Sequence, residues 1–233
     1  MKAHARVVAC FEDGRTILRV LRSKAPLTLF PRRHTGREAV VHLVSSATAP
    51  LGGDELLLDI RVGPGAALRL SGVAATLALP GLHGEPSTST VDIEVADGGS
   101  LEYRPEPTVV TARANHTAVL RAALAENSYF HTREVLVLGR AGERPGRLTT
   151  TVAVTRGDLP VLRQTQSIGD PALDASLAVL AGRRVLATDL EVGGEPRPAA
   201  SGEWWSRVPL AAGGTITTSL AADAVVALKG LDC

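Results

Sequence analysis

A dense polar cluster lies between residues 129 and 144, where Tyr129, His131, Arg133, Glu134, Arg140, Glu143 and Arg144 fall together. Imidazole and carboxylate groups at such spacing bind divalent cations, move protons or pair with arginine. In an extended chain successive side chains face opposite ways, so His131 and Arg133 share one face and Glu134 takes the other. One reading is a solvated strand face with cross-strand ion pairs, each contributing little. The other is a polar lining for something passing between layers. Two more carboxylates sit in turn-like stretches. Asp54 closes Gly52-Gly53-Asp54, and Glu102 opens Glu102-Tyr103-Arg104-Pro105-Glu106-Pro107, a turn whose two prolines take the chain out of a sheet.

Other chemistries lack their motifs. There is no Gly-x-Ser-x-Gly elbow, no Gly-x-x-x-x-Gly-Lys-[Ser/Thr] and no strand-borne Gly-x-Gly-x-x-Gly, which argues against a serine hydrolase and a nucleotide site. His4, His34, His42, His83, His116 and His131 are scattered, with no His-x-His or His-Glu-x-x-His spacing. Cys10 and Cys233 form no Cys-x-x-Cys, so neither a disulfide framework nor a structural zinc site is expected, and a reducing cytosol is the simplest compartment. The 25 basic and 24 acidic residues leave a net charge of +1, which gives no pull toward nucleic acid or an acidic membrane. Without an apolar run long enough to span a bilayer or a credible secretory leader, a cytoplasmic protein is expected.

The elements that position these groups read as strands. Leu56, Leu58, Ile60 and Val62 alternate with Asp59 and Arg61, and Val91, Ile93 and Val95 alternate with Asp92 and Glu94. Residues 15–22, 38–44, 117–124, 134–138, 148–155, 159–166 and 183–192 are also expected as strands, separated by glycine turns. A repeat runs through them. Residues 59–68 match residues 92–101, and a weaker third copy covers 121–130. Such a unit suits a stacked, solenoid-like β fold, and ordinary hairpins in a sandwich also produce it. After residue 167 the texture changes: Leu173, Leu177 and Leu180 predict a helix within 170–181, 193–202 is a loop, and 217–229 is expected as a terminal helix. The whole is expected as one domain over 1–233, a β-rich body (1–167) and a C-terminal part (168–233) with a short helix. Aromatics make up only 3% of the chain against 45% hydrophobic residues, so thin aliphatic layers are expected rather than a deep aromatic pocket. The adjacent Trp204 and Trp205 suit either a partner contact or packing under the terminal helix.

Four ordered blocks resemble the urease accessory protein D family (UreD, called UreH in some systems). They are Gly52-Gly53-Asp54 with the strand to Val62 and the turn and strand of 63–70; Ala74-Ala75-Thr76; Leu101 to Val109; and Arg133 to Arg140 with Gly142-Glu143. Ser71-Gly72-Val73 stands where the family often has Thr-Thr-Gln. The resemblance implies an all-β fold of stacked, β-helix-like layers of short strands. It also implies a non-enzymatic scaffold or chaperone, homodimeric within a complex of apo-urease with accessory proteins F and G. It implies no tightly bound cofactor but transient nickel, carried through an internal passage to the urease site. Asp54, Glu102, His131 and Glu134 are the residues expected near that passage, the first, second and fourth on family-motif positions. A weak, exchangeable relay needs oxygen or imidazole ligands rather than a closed thiolate cage. The alternative is a β-solenoid enzyme or lectin-like module acting on polysaccharide, which needs paired carboxylates and aromatic platforms.

Overall fold

A computed structural model describes residues 1–33 and 35–233, so His34 lies outside the described residues. The body comprises β1 (Lys2–Glu12), β2 (Arg15–Arg22), β3 (Leu27–Arg32), β4 (Ala39–Ser45), β5 (Glu55–Val62), β6 (Ala67–Gly72) and β7 (Thr76–Ala78). It continues with β8 (Ser87–Val95), β9 (Ser100–Arg104), β10 (Thr108–Val110), β11 (Asn115–Leu124), β12 (Tyr129–Leu138), β13 (Arg147–Arg156) and β14 (Leu159–Ile168). Then come α1 (Pro171–Asp174), β15 (Val185–Val192), β16 (Ala200–Ser201), β17 (Trp205–Pro209), β18 (Thr215–Ala221) and α2 (Ala224–Leu231). The protein is all-β with two short helices, and its strands stack as a β-solenoid-like arrangement.

The repeat is the register of that stack. In the first sheet β1, β5, β8, β11 and β13 run parallel, edged by antiparallel β2 and β14. Asp59 pairs with Asp92 and Asp92 with Arg121, so the three copies found in the sequence lie side by side. In the second sheet β4, β6, β9 and β12 run parallel, and Leu68, Leu101 and Phe130 fall in one row. Antiparallel β15, β18 and β17 extend this sheet on one side and β3 on the other. The tight turns between the sheets stack too. Gly65 and Gly98 share a φ of +64°, which a side chain rarely adopts, and Gly65 donates its N–H to Asp97 at 3.1 Å.

Between the sheets the chain builds aliphatic rows. Val7, Ile60, Ile93, Ala122 and Val154 form one row of the first sheet, and Ala39, Leu68, Leu101, Phe130 and Val192 face it from the second. Each fully buried aliphatic side chain contributes about 1.5–3 kcal/mol, so these rows dominate the stability. Phe130 is wholly buried and the largest side chain among them. A second cluster of Val135, Val185, Ala187 and Ala221 lies on the outer side of the second sheet, under Ala227 and Leu231 of α2.

The C-terminal part departs from expectation in three places. The helix expected within 170–181 is one turn, started by Asp170 accepting the Ala172 N–H at 2.9 Å. The Ser176 hydroxyl then accepts the Ala178 N–H, a local bond that competes with helix continuation, and Leu177 stays 86% exposed. Residues 215–221 are strand, not helix: the chain pairs with β15 on one side and β17 on the other, and Thr215, Thr217, Ser219 and Ala221 alternate as its buried residues on the outer face of the second sheet. The terminal helix starts only at Ala224, where Asp223 caps the Val226 N–H. Glu102, Tyr103 and Arg104 are likewise strand, and the chain leaves the sheet at Pro105. Trp205 lies beside α2, where a Cβ on Gly230 would be 3.5 Å from its own Cβ, and the Arg183 guanidinium covers Trp204 at 3.8 Å.

Phe130→Ala is expected to cost about 3–5 kcal/mol of unfolding free energy by leaving a void between the aliphatic rows. Leu82→Ala, at a side chain 97% exposed, is expected to shift it by less than about 0.5 kcal/mol. Urea midpoints of the two variants check the contrast.

Candidate functional site

Followed away from the tight turns, the inner rows turn from aliphatic to polar. In the second sheet the row Val41, Leu70, Tyr103, Thr132, Leu190 comes first, and beside it Glu134 pairs with Thr188. In the first sheet Leu56, Ser89, Ala118, Thr150 and Gln166 form one row, and Ser87, His116 and Leu148 the next. Here the sheets enclose a cavity of about 210 Å³ lined by Tyr103, His116, Thr132, Glu134, Thr150 and Thr188 among aliphatic neighbours. Exposed Ser45, Ala74, Glu106 and Gln164 also line it, so the space reaches solvent.

Two ionisable groups dominate this interior. The Glu134 carboxylate accepts a hydrogen bond from the Thr150 hydroxyl at 3.2 Å, the one side-chain bond that joins it to the facing sheet. Burial pushes its pKa up, only partly opposed by that bond, and its charge in turn helps burial raise the Tyr103 phenol. His116 is 3% exposed, and its Nδ1 lies 2.8 Å from the Ser87 hydroxyl. Burial lowers its pKa to about 4, so the imidazole is neutral at neutral pH, the form in which histidine binds a metal.

The other expected residues lie elsewhere. Glu102 and His131 are on the outer face of the second sheet, within a chain of ion pairs. Arg69 reaches Glu102 at 2.8 Å, Arg104 reaches Glu102 at 2.6 Å, and His131 Nδ1 stands 4.0 Å from Glu102. His131 Nε2 is 3.0 Å from Asp189, which also accepts from Arg133 Nε at 2.8 Å. Burial raises the Asp189 pKa, but His131 and Arg133 outweigh it and hold the carboxyl below the ordinary range. Asp54, 4% exposed, is bound by the Met1 amino group at 2.7 Å and by the Leu51 N–H at 2.8 Å. The structure thus brings Glu102 and His131 together, separates them from Glu134 by the thickness of the sheet, and ties Asp54 into the start of β5. Among the described residues no three His, Cys, Asp or Glu side chains are grouped to hold a metal ion.

His116, Tyr103, Thr132 and Thr150 were not singled out from sequence. A signal existed: His116 is in phase with Leu120, Ala122 and Leu124 on the inward side of β11, and Glu134 with Phe130 and Leu136 on that of β12. A polar residue in phase with apolar neighbours is placed inward by the strand period.

These features define a β-solenoid-like protein with a small internal cavity into which the Glu134 carboxylate and the His116 imidazole face. The chain belongs to the UreD urease accessory protein family, whose model matches residues 1–229. It is 55% identical over 224 residues to urease accessory protein UreD 1 of Saccharopolyspora erythraea, covering 94% of this chain and 88% of that one. It is 36% identical to urease accessory protein UreD of Streptomyces avermitilis, covering 100% of this chain and 95% of the relative. The match to UreD of a Parafrankia species is 37% identical over 94% and 83% of the two chains. No helix among the described residues is long and apolar enough to cross a membrane.

The two buried groups give opposite pH dependences. His116 has a folded pKa near 4 against about 6.5 unfolded, so the unfolded chain takes up the proton first as pH falls. Stability is therefore expected to drop by about 3 kcal/mol between pH 6.5 and 4 on this account. Glu134 has the reverse sign: its raised pKa favours the folded state at low pH, and that share is lost as pH rises through the folded value. Urea titrations of the wild type and His116→Asn at pH 7 and 4.5 check this, with the variant losing most of the acid-side slope.

Proposed function

We propose that the protein is a urease accessory factor that catalyses no reaction of its own. It acts in the cytoplasm as a scaffold, homodimeric in a complex that holds apo-urease with accessory proteins F and G. Through its central cavity a nickel ion passes toward the urease site. Family membership supports the urease-maturation part of this reading. The observation that carries the nickel part is the Glu134 carboxylate facing a cavity of about 210 Å³. The one buried acid there binds a divalent ion weakly enough to release it. Glu102 and His131, facing outward, bear on partner contact rather than on the cavity, and Asp54 supports the start of β5.

The cavity speaks against the polysaccharide reading. Tyr103 is the one Phe, Tyr or Trp ring among the residues that line it, so it offers no row of aromatic platforms for sugars.

In cells lacking the protein, urease is expected to accumulate without nickel and without activity. Wild-type chain restores both. Glu134→Gln, which keeps the shape and the Thr150 contact, is expected to form the complex but to lower nickel loading by about tenfold. Fully nickel-loaded, active urease in the deletion strain would overturn the proposal, with metal content read by atomic emission.

A further inference from the structure

Along their main order the two sheets end in four edge strands, β2 and β14 in the first and β3 and β16 in the second. Three of these are protected against further pairing. β2 carries Arg15, Arg19 and Arg22, β3 carries Pro31 and Arg32, and β16 is two residues long. Charge, proline and shortness are the means by which natural sheets close an edge. β14 pairs with β13 alone, and its protection stops at Pro160 and Arg163. Its bulge, between Val154 and Thr155 of β13, lies at that same end. Residues 164–168, Gln-Thr-Gln-Ser-Ile, hold neither charge nor proline, so this stretch is open to a further strand.

The backbone there is aimed at the free edge. The Thr151 and Thr165 hydroxyls meet at 2.9 Å, the close side-chain approach of an antiparallel pair whose own N–H and C=O groups point away from each other. Thr165, and in phase with it Arg163 and Ser167, therefore turn their backbone groups to the edge and their side chains to the outer face.

The second sheet reaches past this edge. Leu162 of β14 and Ile216 of β18 share one apolar layer, so these two strands face each other. β17 lies one strand farther out, and its Ser206 and Val208 pair with Thr218 and Ile216 on the inner side. No strand of the first sheet lies opposite them, β14 being its last, and Val208 is 50% exposed. The step between the free edge and the overhanging β17 has the width of one strand, since β16 beyond it is only two residues long.

A second copy of this chain does not fit the step by antiparallel pairing of β14 with β14. The two-fold axis would stand perpendicular to the sheet, and the copy's β18 would fall where β17 already lies. The occupant is a single extended segment that brings no second layer on that side. Its inner side chains meet Val208 and Ile216 and must be apolar. Its outer side chains lie beside Thr165, Ser167 and Arg163. Arg163 is exposed, pairs with Ala153 and has no acidic partner among the described residues, so an acid in the segment complements it.

We propose that β14 and the overhanging β17 form a docking site for an extended segment of a partner protein, which joins the seven-stranded sheet as an eighth strand. The segment alternates β-branched apolar residues, turned to Val208, with polar ones, and sets an acidic residue beside Arg163. Backbone bonds along 163–167 hold it, and the alternation and the acid select it. Docking at this edge is independent of any passage of nickel through the cavity.

The test titrates the purified full chain into the fluorescein-labelled peptide Thr-Val-Glu-Val-Thr-Val-Thr, reading anisotropy and amide hydrogen exchange. Binding should saturate, with exchange slowed at 163–167 and unchanged in β2 and β3. N-methylation of one alternate set of peptide amides should weaken binding by at least about tenfold, and of the other set leave it unchanged. Thr165→Pro removes an edge N–H and should also weaken it by about tenfold. Arg163→Glu should weaken it several-fold, with recovery when the peptide's Glu is replaced by Lys. Val208→Lys, at an exposed position, should weaken it too. In cells, a photo-crosslinking residue at position 167 should join one other protein, at a segment with this alternation, and Thr165→Pro should abolish the adduct. Absence of saturable binding, equal effects of the two methylated peptides, protection outside β14, or an adduct with a second copy of the chain would each overturn the proposal. Thermal melts by circular dichroism confirm that each variant folds, and if Thr165→Pro does not, the two methylated peptides decide.

Discussion

Parallel stacking in fixed register couples the chemistry of each strand to that of the next. Once Ile60 is set beside Ile93 and Leu68 beside Leu101, every inward residue belongs to a row that crosses the whole stack. A one-residue slip would turn the aliphatic rows outward and bring Asp59, Asp92 and Arg61 between the sheets, so register is enforced by burial at every step. Outer ion pairs follow the same rows. Arg6 to Asp59 at 3.4 Å and Arg121 to Asp92 at 3.2 Å are cross-strand contacts between paired positions; Asp59 is buried, while the Arg121 pair is open to solvent and refines the register more than it stabilises it.

The same constraint accounts for the scarcity of rings and for the cavity. Sheets that face each other at about 10 Å leave room for one interdigitated layer of Val, Leu, Ile and Ala, and a ring in each row would force them apart. Phe130 is tolerated where small Ala39 and Ala122 share the layer. Toward the strand breaks the layer is not filled, and Thr132, Thr150 and Glu134 replace aliphatics. Burial disfavours the charged form of the Glu134 carboxyl, which the Thr150 hydroxyl only partly offsets, and the aliphatic rows at the other end of the layer outweigh that cost.

Much of this was legible in the chain. The offsets of 33 and 29 residues between repeat copies are the registers of β5 on β8 and β8 on β11, and the four ordered blocks carry the family resemblance. The split of β12, with His131 and Arg133 on one face and Glu134 on the other, follows from the strand period and holds in the structure. What the sequence hid was which of the two faces is the inner one. Asp189, which partners His131 and Arg133, lies 56 residues or more away and carries no motif. The C-terminal errors have another cause. Leu173, Leu177 and Leu180 have helical spacing, but local bonds at Ser176 end the turn. Residues 217–221 became strand because β15 offered an edge, a tertiary effect that overrides local propensity.

The division of β12 into an outward and an inward face also explains how a buried, poorly satisfied carboxylate stays in place. Outward, Arg133 and His131 are pinned to Asp189 on β15, and Arg133 reaches on to Asp232 beyond α2 at 2.9 Å. Further along, Val135 packs under α2 with Val185 and Ala187. These contacts flank Glu134 on both sides in sequence, so the backbone that carries it cannot rotate to expose the carboxylate without breaking a charge network and an apolar cluster together. The break between β9 and β10 removes the parallel ladder from this very stretch, and the β15 ladder with its outer contacts replaces it. The outward charged residues of β12 are thus the brace, and the group that faces the cavity is the residue they hold inward.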